Sequence, residues 1–227
     1  MNKKKITFNS FKNIKESDIW DAENIYHLKT NTSRISKLIY QYEIYKMIIN
    51  VPGDILEFGV FKGISLIRFL TYRAILENNF SRKIYGFDTF NDFPWEKKGV
   101  DKKLVNRWKG EAGASIKKKE LEQILNEKKF QNYELIEGDI RKTLPKFLEK
   151  ERNIKISLLH LDLEVYSATK FVIKKLLKNM AQNGIVLLDD YPTVKGASKA
   201  VDEILKVNKN LKIQKLSYYQ QPSFIKV

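Results

Sequence analysis

The sequence predicts an α/β domain with a mostly parallel sheet and helices on both faces, preceded by a helical segment. Three observations carry that expectation. Short apolar runs alternate with longer amphipathic stretches, the pattern of strands joined by helices. Acidic residues stand where the apolar runs end, and the first run is followed by two glycines, Gly59 and Gly63.

Residues 1–50 read as a helical preface. Ile35, Leu38, Ile39, Tyr42, Ile44, Tyr45, Ile48 and Ile49 recur at spacings of three and four, as one apolar helix face requires. Asn31-Thr32-Ser33 offers oxygens to cap its start, and Pro52-Gly53 ends it.

The domain proper spans 51–227. Ile55 to Phe58, Lys83 to Phe87, Tyr133 to Glu137, Ile156 to Leu161 and Gly184 to Leu188 are the expected strands. Between and after them, Ser65 to Asn78, Lys117 to Glu127, Leu144 to Glu149, Ala168 to Met180 and Ala197 to Asn208 are the expected helices. Two extended runs, Lys212 to Ser217 and Ser223 to Val227, are split by Gln220-Gln221-Pro222 and suit a closing hairpin, one member antiparallel to the rest. That makes a seven-stranded, Rossmann-like sheet. A long stretch from Asn91 to Ser115, with Trp95 and Trp108, is expected to serve the site, because loops of this length in a compact domain are usually functional or disordered.

Composition narrows the function. With 227 residues and 43% hydrophobic content the chain can bury one substantial core. It has no cysteine, which excludes disulfides and thiolate-held metals and fits a cytoplasmic protein. No stretch approaches the roughly 18 to 20 apolar residues that span a bilayer, and the lysine-rich start lacks the apolar stretch of an export signal.

The net charge of +15 raises the question of nucleic acid. The excess is lysine, 35 against 7 arginines, spread along the chain with dense clusters only at Lys3 to Lys5 and Lys117 to Lys119. Nucleic-acid readers favour arginine forks and interleaved aromatic platforms. Solvated lysine faces are the simpler reading; attraction of an anionic, phosphorylated or nucleotide-linked substrate is the other.

Ligands of open parallel sheets bind beyond the carboxyl ends of the strands. Glu57 and Gly59 follow the first strand, Asp88 the second, Asp139 the third, Asp162 and Glu164 the fourth, Asp189 and Asp190 the fifth. The segment from Glu57 to Gly63 lacks the Gly-Lys-Ser/Thr ending of a phosphate loop and is not a full Gly-x-Gly-x-x-Gly. An acid at its start suits a cationic ligand, such as the sulfonium and ammonium of S-adenosylmethionine. Asp88 is placed to accept from ribose hydroxyls and Asp139 from an adenine amine. Asp162, Asp189 and Asp190 form an all-oxygen set suited to Mg²⁺ or another hard divalent cation; without one, their mutual repulsion would force protonation. Read otherwise, Asp190 caps the next helix or pairs with a lysine.

Several blocks together resemble the macrocin O-methyltransferase (TylF/MycF) family of class I S-adenosylmethionine-dependent methyltransferases. They are Gly53 to Gly63, Gly86 to Pro94, Gly110 to Ser115, Gly138-Asp139 with Thr143-Leu-Pro145, Asp162 to Thr169, and Leu188 to Tyr191 with Ala200-Val-Asp202. The likeness runs in the correct order over about residues 30 to 205. It implies a metal-dependent O-methyltransferase acting on a hydroxyl of a sugar or glycosylated small molecule. It also implies that Glu57, Gly59, Gly63, Asp88 and Asp139 hold the donor, that Ser33 reaches the donor's carboxylate, and that Asp162, Asp189 and Asp190 hold the metal. Ala168 stands where a serine is common, and His160 departs from the usual surroundings of the fourth strand. Related catechol-type enzymes carry a lysine base three residues after the first acid; Val165 occupies that place here.

For the proton acceptor, Asp162 is the first candidate and His160, two residues earlier on the same strand face, the second. A lone histidine in an apolar strand is more often a core residue. A nucleic-acid methyltransferase and a non-catalytic binding protein of the same fold are the alternative functions. The apolar, aromatic N-terminal helix is a possible homo-oligomer interface.

Overall fold

A computed structural model describes residues 14–91, 115–217 and 222–227. Its centre is a seven-stranded sheet of β1 (Asp54–Phe58), β2 (Ile84–Asp88), β3 (Tyr133–Glu137), β4 (Ile156–Leu161), β5 (Met180–Leu188), β6 (Ile213–Gln214) and β7 (Ser223–Lys226). The strand order is β3-β2-β1-β4-β5-β7-β6. The first five strands are mutually parallel, β7 runs antiparallel to β5, and β6 antiparallel to β7, as the closing hairpin required. Successive crossovers move outward from β1 to β3 and then return to β4, so the strand order reverses between β1 and β4.

Seven helices accompany the sheet among the described residues: α1 (Glu16–Lys29), α2 (Thr32–Ile48), α3 (Ile64–Leu76), α4 (Lys118–Glu127), α5 (Ile140–Lys150), α6 (Tyr166–Leu176) and α7 (Lys195–Val207). None is long and apolar enough to cross a membrane. Alternation along each strand sorts the core into two faces. Ile55, Ile84, Leu158, Ile185 and Leu187 pack beneath α2, α3 and α4; Leu56, Phe58, Phe87, Leu159, Leu161 and Val186 pack beneath α5, α6 and α7. Phe58 and Phe87 stack at 4.4 Å between ring centroids on the second face.

Three boundaries differ from the sequence expectation, each for a local reason. Helix α5 begins at Ile140, earlier than Leu144, because Asp139 caps it by accepting the Arg141 N–H at 2.9 Å; Pro145 is carried inside the helix. Helix α6 ends at Leu176 and tightens into a 3₁₀ turn over Leu177–Asn179, which starts β5 at Met180. In α2 the buried face is Tyr40, Gln41, Ile44, Tyr45 and Ile48, while Leu38 and Ile39 face solvent. Only the second half of α2 lies against the sheet. Helix α1 buries no residue, and its Trp20 and Leu28 are 63% and 81% exposed. Trp95, Trp108 and nearly all of the Asn91 to Ser115 stretch lie outside the described residues, as do Lys3 to Lys5.

One buried arginine fastens the strand starts beneath the site. Arg82 pairs with Glu77 at 2.8 Å and donates to the carbonyls of Ile48, Ile49, Val51 and Gly53 and to Ser157 Oγ. It thereby joins the end of α2 to the starts of β1 and β4. Arg82→Met strands the Glu77 carboxylate and several buried carbonyls; chemical denaturation should show a loss of about 3–5 kcal/mol.

Candidate active site

The site is built where β1 and β4 part at their carboxyl ends, the position at which open α/β sheets bind ligands. Gly59 leaves β1 with φ +94°, and a side chain there would place its Cβ 1.9 Å from the Asp162 carbonyl oxygen. Only glycine allows the two strand ends to approach this closely. Asp162 N–H donates to the Phe58 carbonyl at 2.9 Å, and Asp189 N–H to the Leu161 carbonyl at 3.0 Å, which fixes the three strand ends side by side. Gly63, at φ +80°, caps α3; a Cβ there would meet Leu121 Cδ1 at 2.6 Å.

Glu57 and His160 are register partners on β1 and β4, so their side chains sit together on the sheet face beneath α3. Both are fully buried in an otherwise apolar layer. His160 Nδ1 lies 3.2 Å from Glu57 Oε1, which also accepts from Ser65 Oγ. On its other side, His160 Nε2 is 3.8 Å from Asp189 Oδ1, an ion-pair distance too long for a hydrogen bond. Phe69 packs edge-on against the imidazole. Burial disfavours the charged ring, but Asp189 and Glu57 outweigh it and push the His160 pKa up to about 10. The two carboxylates thus favour the protonated form of His160, whose Nε2 is buried without a hydrogen-bond partner. Among the described residues, Glu57 Oε2 and Asp189 Oδ1 are buried oxygens with no hydrogen-bond partner.

The acids after β4 and β5 converge, though in two overlapping groups. Asp162 and Asp189 lie with His160, and Asp162 and Asp190 lie with Glu164, the candidate ligand atoms of each group falling within 4.8 Å of one another. Asp162 belongs to both. Sequence reasoning noted Glu164 as a strand-end acid without assigning it a role; its spacing of two from Asp162 was the available signal. It holds φ +60°, a strained conformation for a non-glycine residue, and its N–H donates to Asp190 Oδ2 at 2.7 Å. Burial, then Asp189, raises the Asp162 carboxyl well above the usual range. Burial and Asp189 likewise push Asp190 up to about 7. Asp189 goes the other way: burial opposes its charge, but His160 and Lys37 hold it well below the usual range.

Lys37, on α2, enters this cluster and was not foreseen. Its Nζ is 2.6 Å from Asp189 Oδ2 and 3.8 Å from Asp162 Oδ2. The remaining expected residues are placed as follows. Asp88 closes β2 and shapes the β1–α3 turn: its Oδ2 accepts from Phe61 N–H at 2.8 Å, and its Oδ1 from Phe90 N–H at 2.7 Å and the Thr89 hydroxyl at 3.5 Å. Asp139 is engaged as the α5 cap and in an ion pair with Arg141, whose side-chain bond lowers its pKa. Ser33 is an exposed residue in the first turn of α2, with its hydroxyl 2.5 Å from Asn31 Oδ1.

The profile of the macrocin O-methyltransferase (TylF) family matches residues 5–216. The chain belongs to that family. Its assigned activity is O-methyl transfer. Among curated proteins, none matches this sequence. Among solved structures, the fold is similar to apo CalS11, described as a TDP-rhamnose 3′-O-methyltransferase of calicheamicin biosynthesis. That comparison has 24% identity, TM-score 0.70, and covers 96% of this chain and 90% of the other. A second CalS11 structure gives 23% identity and TM-score 0.69, covering 96% and 89%. The O-methyltransferase NovP gives 20% identity and TM-score 0.69, covering 85% and 79%. At these identities the structural likeness speaks for the fold, and the family assignment rests on the sequence profile.

Gly59→Ala forces a Cβ onto the Asp162 backbone at positive φ. Thermal or urea unfolding should show a loss of at least about 1–3 kcal/mol.

His160 supplies a pH dependence with a definite sign. In the metal-free fold it keeps its proton between its ordinary value of 6.5 and about 10, where the unfolded chain has released it. Its stabilising contribution is thus whole below 6.5 and fades as pH rises through 10. Urea denaturation across that window should give a steeper decline for the wild type than for His160→Gln, and equal slopes would contradict the assignment.

Proposed function

We propose that this protein transfers a methyl group from S-adenosylmethionine to a hydroxyl of a sugar, free or nucleotide-linked, with a divalent cation held by the acids after β4 and β5. The observation that supports it most is the meeting, at one strand-order reversal, of a buried unpartnered Glu57 oxygen with the Asp162, Asp189 and Asp190 carboxylates. Among the described residues, the acids Glu57, Asp162, Glu164, Asp189 and Asp190 gather here with Lys37 and His160, and Arg68 lies near Lys37. Such a cluster of acids suits a cationic donor beside a hard metal ion, and the all-oxygen acids suit magnesium or manganese.

When bound, the donor supplies an electrophilic methyl on sulfonium, and the cation supplies Lewis acidity that lowers the pKa of the acceptor hydroxyl. The chain's own residues do the rest. Gly59 and Gly63 let the β1–α3 turn close against Asp162 and Leu121, which sets the position of the backbone that the donor approaches. Glu57 offers its unpartnered Oε2 to the cationic end of the donor, and Asp88 offers a remaining lone pair on Oδ2 to a ribose hydroxyl. Asp162, the acid shared by both carboxylate groups, is the residue assigned to accept the hydroxyl proton. His160 acts as a positioning residue that holds Glu57 and Asp189 at fixed separation. Fixing both partners in register is worth up to roughly 7–11 kcal/mol of barrier.

The acceptor class draws on CalS11, which acts on TDP-rhamnose by its description, and on the net charge of +15, which attracts anionic nucleotide-linked sugars. Incubation with S-adenosylmethionine, Mg²⁺ and a panel of nucleoside-diphosphate sugars should release S-adenosylhomocysteine, and chelation should stop it. Donor binding without turnover on any sugar would favour a non-catalytic protein instead. Asp162→Asn should lower kcat by about 10²–10⁴-fold while leaving the donor's Kd nearly unchanged, as measured by calorimetry.

A further inference from the structure

We propose that Lys37 is a tethered cation holding the place of the divalent ion, so that docking of its ammonium and binding of the metal exclude one another. The inference rests on the metal reading above and adds to it a residue that no acid motif points to. It begins with the face of α2. Gln41, Ile44, Tyr45 and Ile48 are buried along one side of that helix, and Lys37 lies one turn before Gln41 on the same side. Where the sheet's apolar surface gives out, at the strand ends, this face continues as a lysine instead of a hydrophobic residue. Its Nζ reaches Asp189 Oδ2 at 2.6 Å and leans toward Asp162 Oδ2 at 3.8 Å. Those are two of the carboxylates expected to hold the metal.

An ammonium has no acceptor capacity, so each carboxylate lone pair it takes is unavailable to a metal. A dication brought among the same oxygens would also meet a like charge within a few ångströms, with the cost rising as water is excluded. The two cannot share the site. Neither can the carboxylates easily be left alone, because buried acids without a counter-charge repel. Lys37 resolves that in the metal-free protein. Its side chain is 34% exposed and carried on a flexible four-carbon stem, which lets the ammonium swing to solvent without moving the buried half of α2. Arg68 contributes a nearby positive charge that disfavours the docked ammonium. The apparent metal affinity is then the intrinsic affinity scaled by the fraction of molecules in which Lys37 is undocked.

The test is a Mn²⁺ titration of the full chain followed by electron paramagnetic resonance, for the wild type, Lys37→Met and Lys37→Arg. Lys37→Met should bind one equivalent of Mn²⁺ at least about tenfold more tightly than the wild type, and Lys37→Arg should stay as weak as the wild type. Equal affinity in wild type and Lys37→Met overturns the exclusion alone. Absence of binding in both overturns the metal reading and the exclusion with it. Should Lys37→Met fail to fold, the wild type still decides: acylation of Lys37 by an amine-reactive ester, read by mass spectrometry, should increase several-fold on saturation with Mn²⁺. Unchanged labelling at saturation would refute the proposal.

Discussion

The site depends on one buried contact, the His160 ring between Glu57 and Asp189. A charged ring at 0% exposure is costly unless neighbours compensate it, and here a carboxylate stands on each side. Glu57 belongs to the half expected to bind the donor, and Asp189 to the half expected to bind the metal. The ring therefore fixes the separation of two charges whose roles differ. It also explains why Glu57 can remain buried with one oxygen unpartnered: His160 and Ser65 satisfy the other, and the remaining oxygen keeps its capacity for a cation.

Around that contact the backbone sets the distances. Gly59 permits β1 and β4 to meet, ladder bonds tie Asp162 and Asp189 to their neighbouring strands, and Asp88 gathers the β1–α3 turn through two N–H groups. Arg82 fastens the opposite ends of the same strands. These interactions sit on regular elements, which position side chains more narrowly than loops do. The charge pattern then follows from place: Asp189, beside two cations, is held as an anion, whereas Asp162 and Asp190, with less compensation, are driven toward the neutral form.

Much of this was legible in the sequence because strands advertise themselves locally. Apolar runs such as Ile156 to Leu161 end in acids, and parallel topology sends those ends to one side of the sheet, so the order of Glu57, Asp88, Asp139, Asp162 and Asp189 along the chain already outlines a cleft. What was not legible depends on contacts between distant segments. Lys37 is one of 35 lysines in the chain, and only its placement against Asp189 singles it out. Leu38 and Ile39 fit the helical period, yet they face solvent because α2 lies on the sheet only in its second half. His160 looked like a possible base by its place in the chain; its protonation is decided by partners on β1 and β5. The sequence reading starts α5 at Leu144; the Asp139 cap starts it at Ile140.

On the proposed function, donor and metal lie side by side at the carboxyl ends of β1, β4 and β5, with Asp162 between them. A crystal structure with S-adenosylhomocysteine and Mn²⁺, the metal located by its anomalous scattering, addresses that placement most directly. The account predicts the nucleoside at the β1 end between Glu57 and Asp88, and the manganese peak on Asp162 together with Asp189 or Asp190. A peak away from Asp162, or a nucleoside bound elsewhere on the sheet, would contradict it.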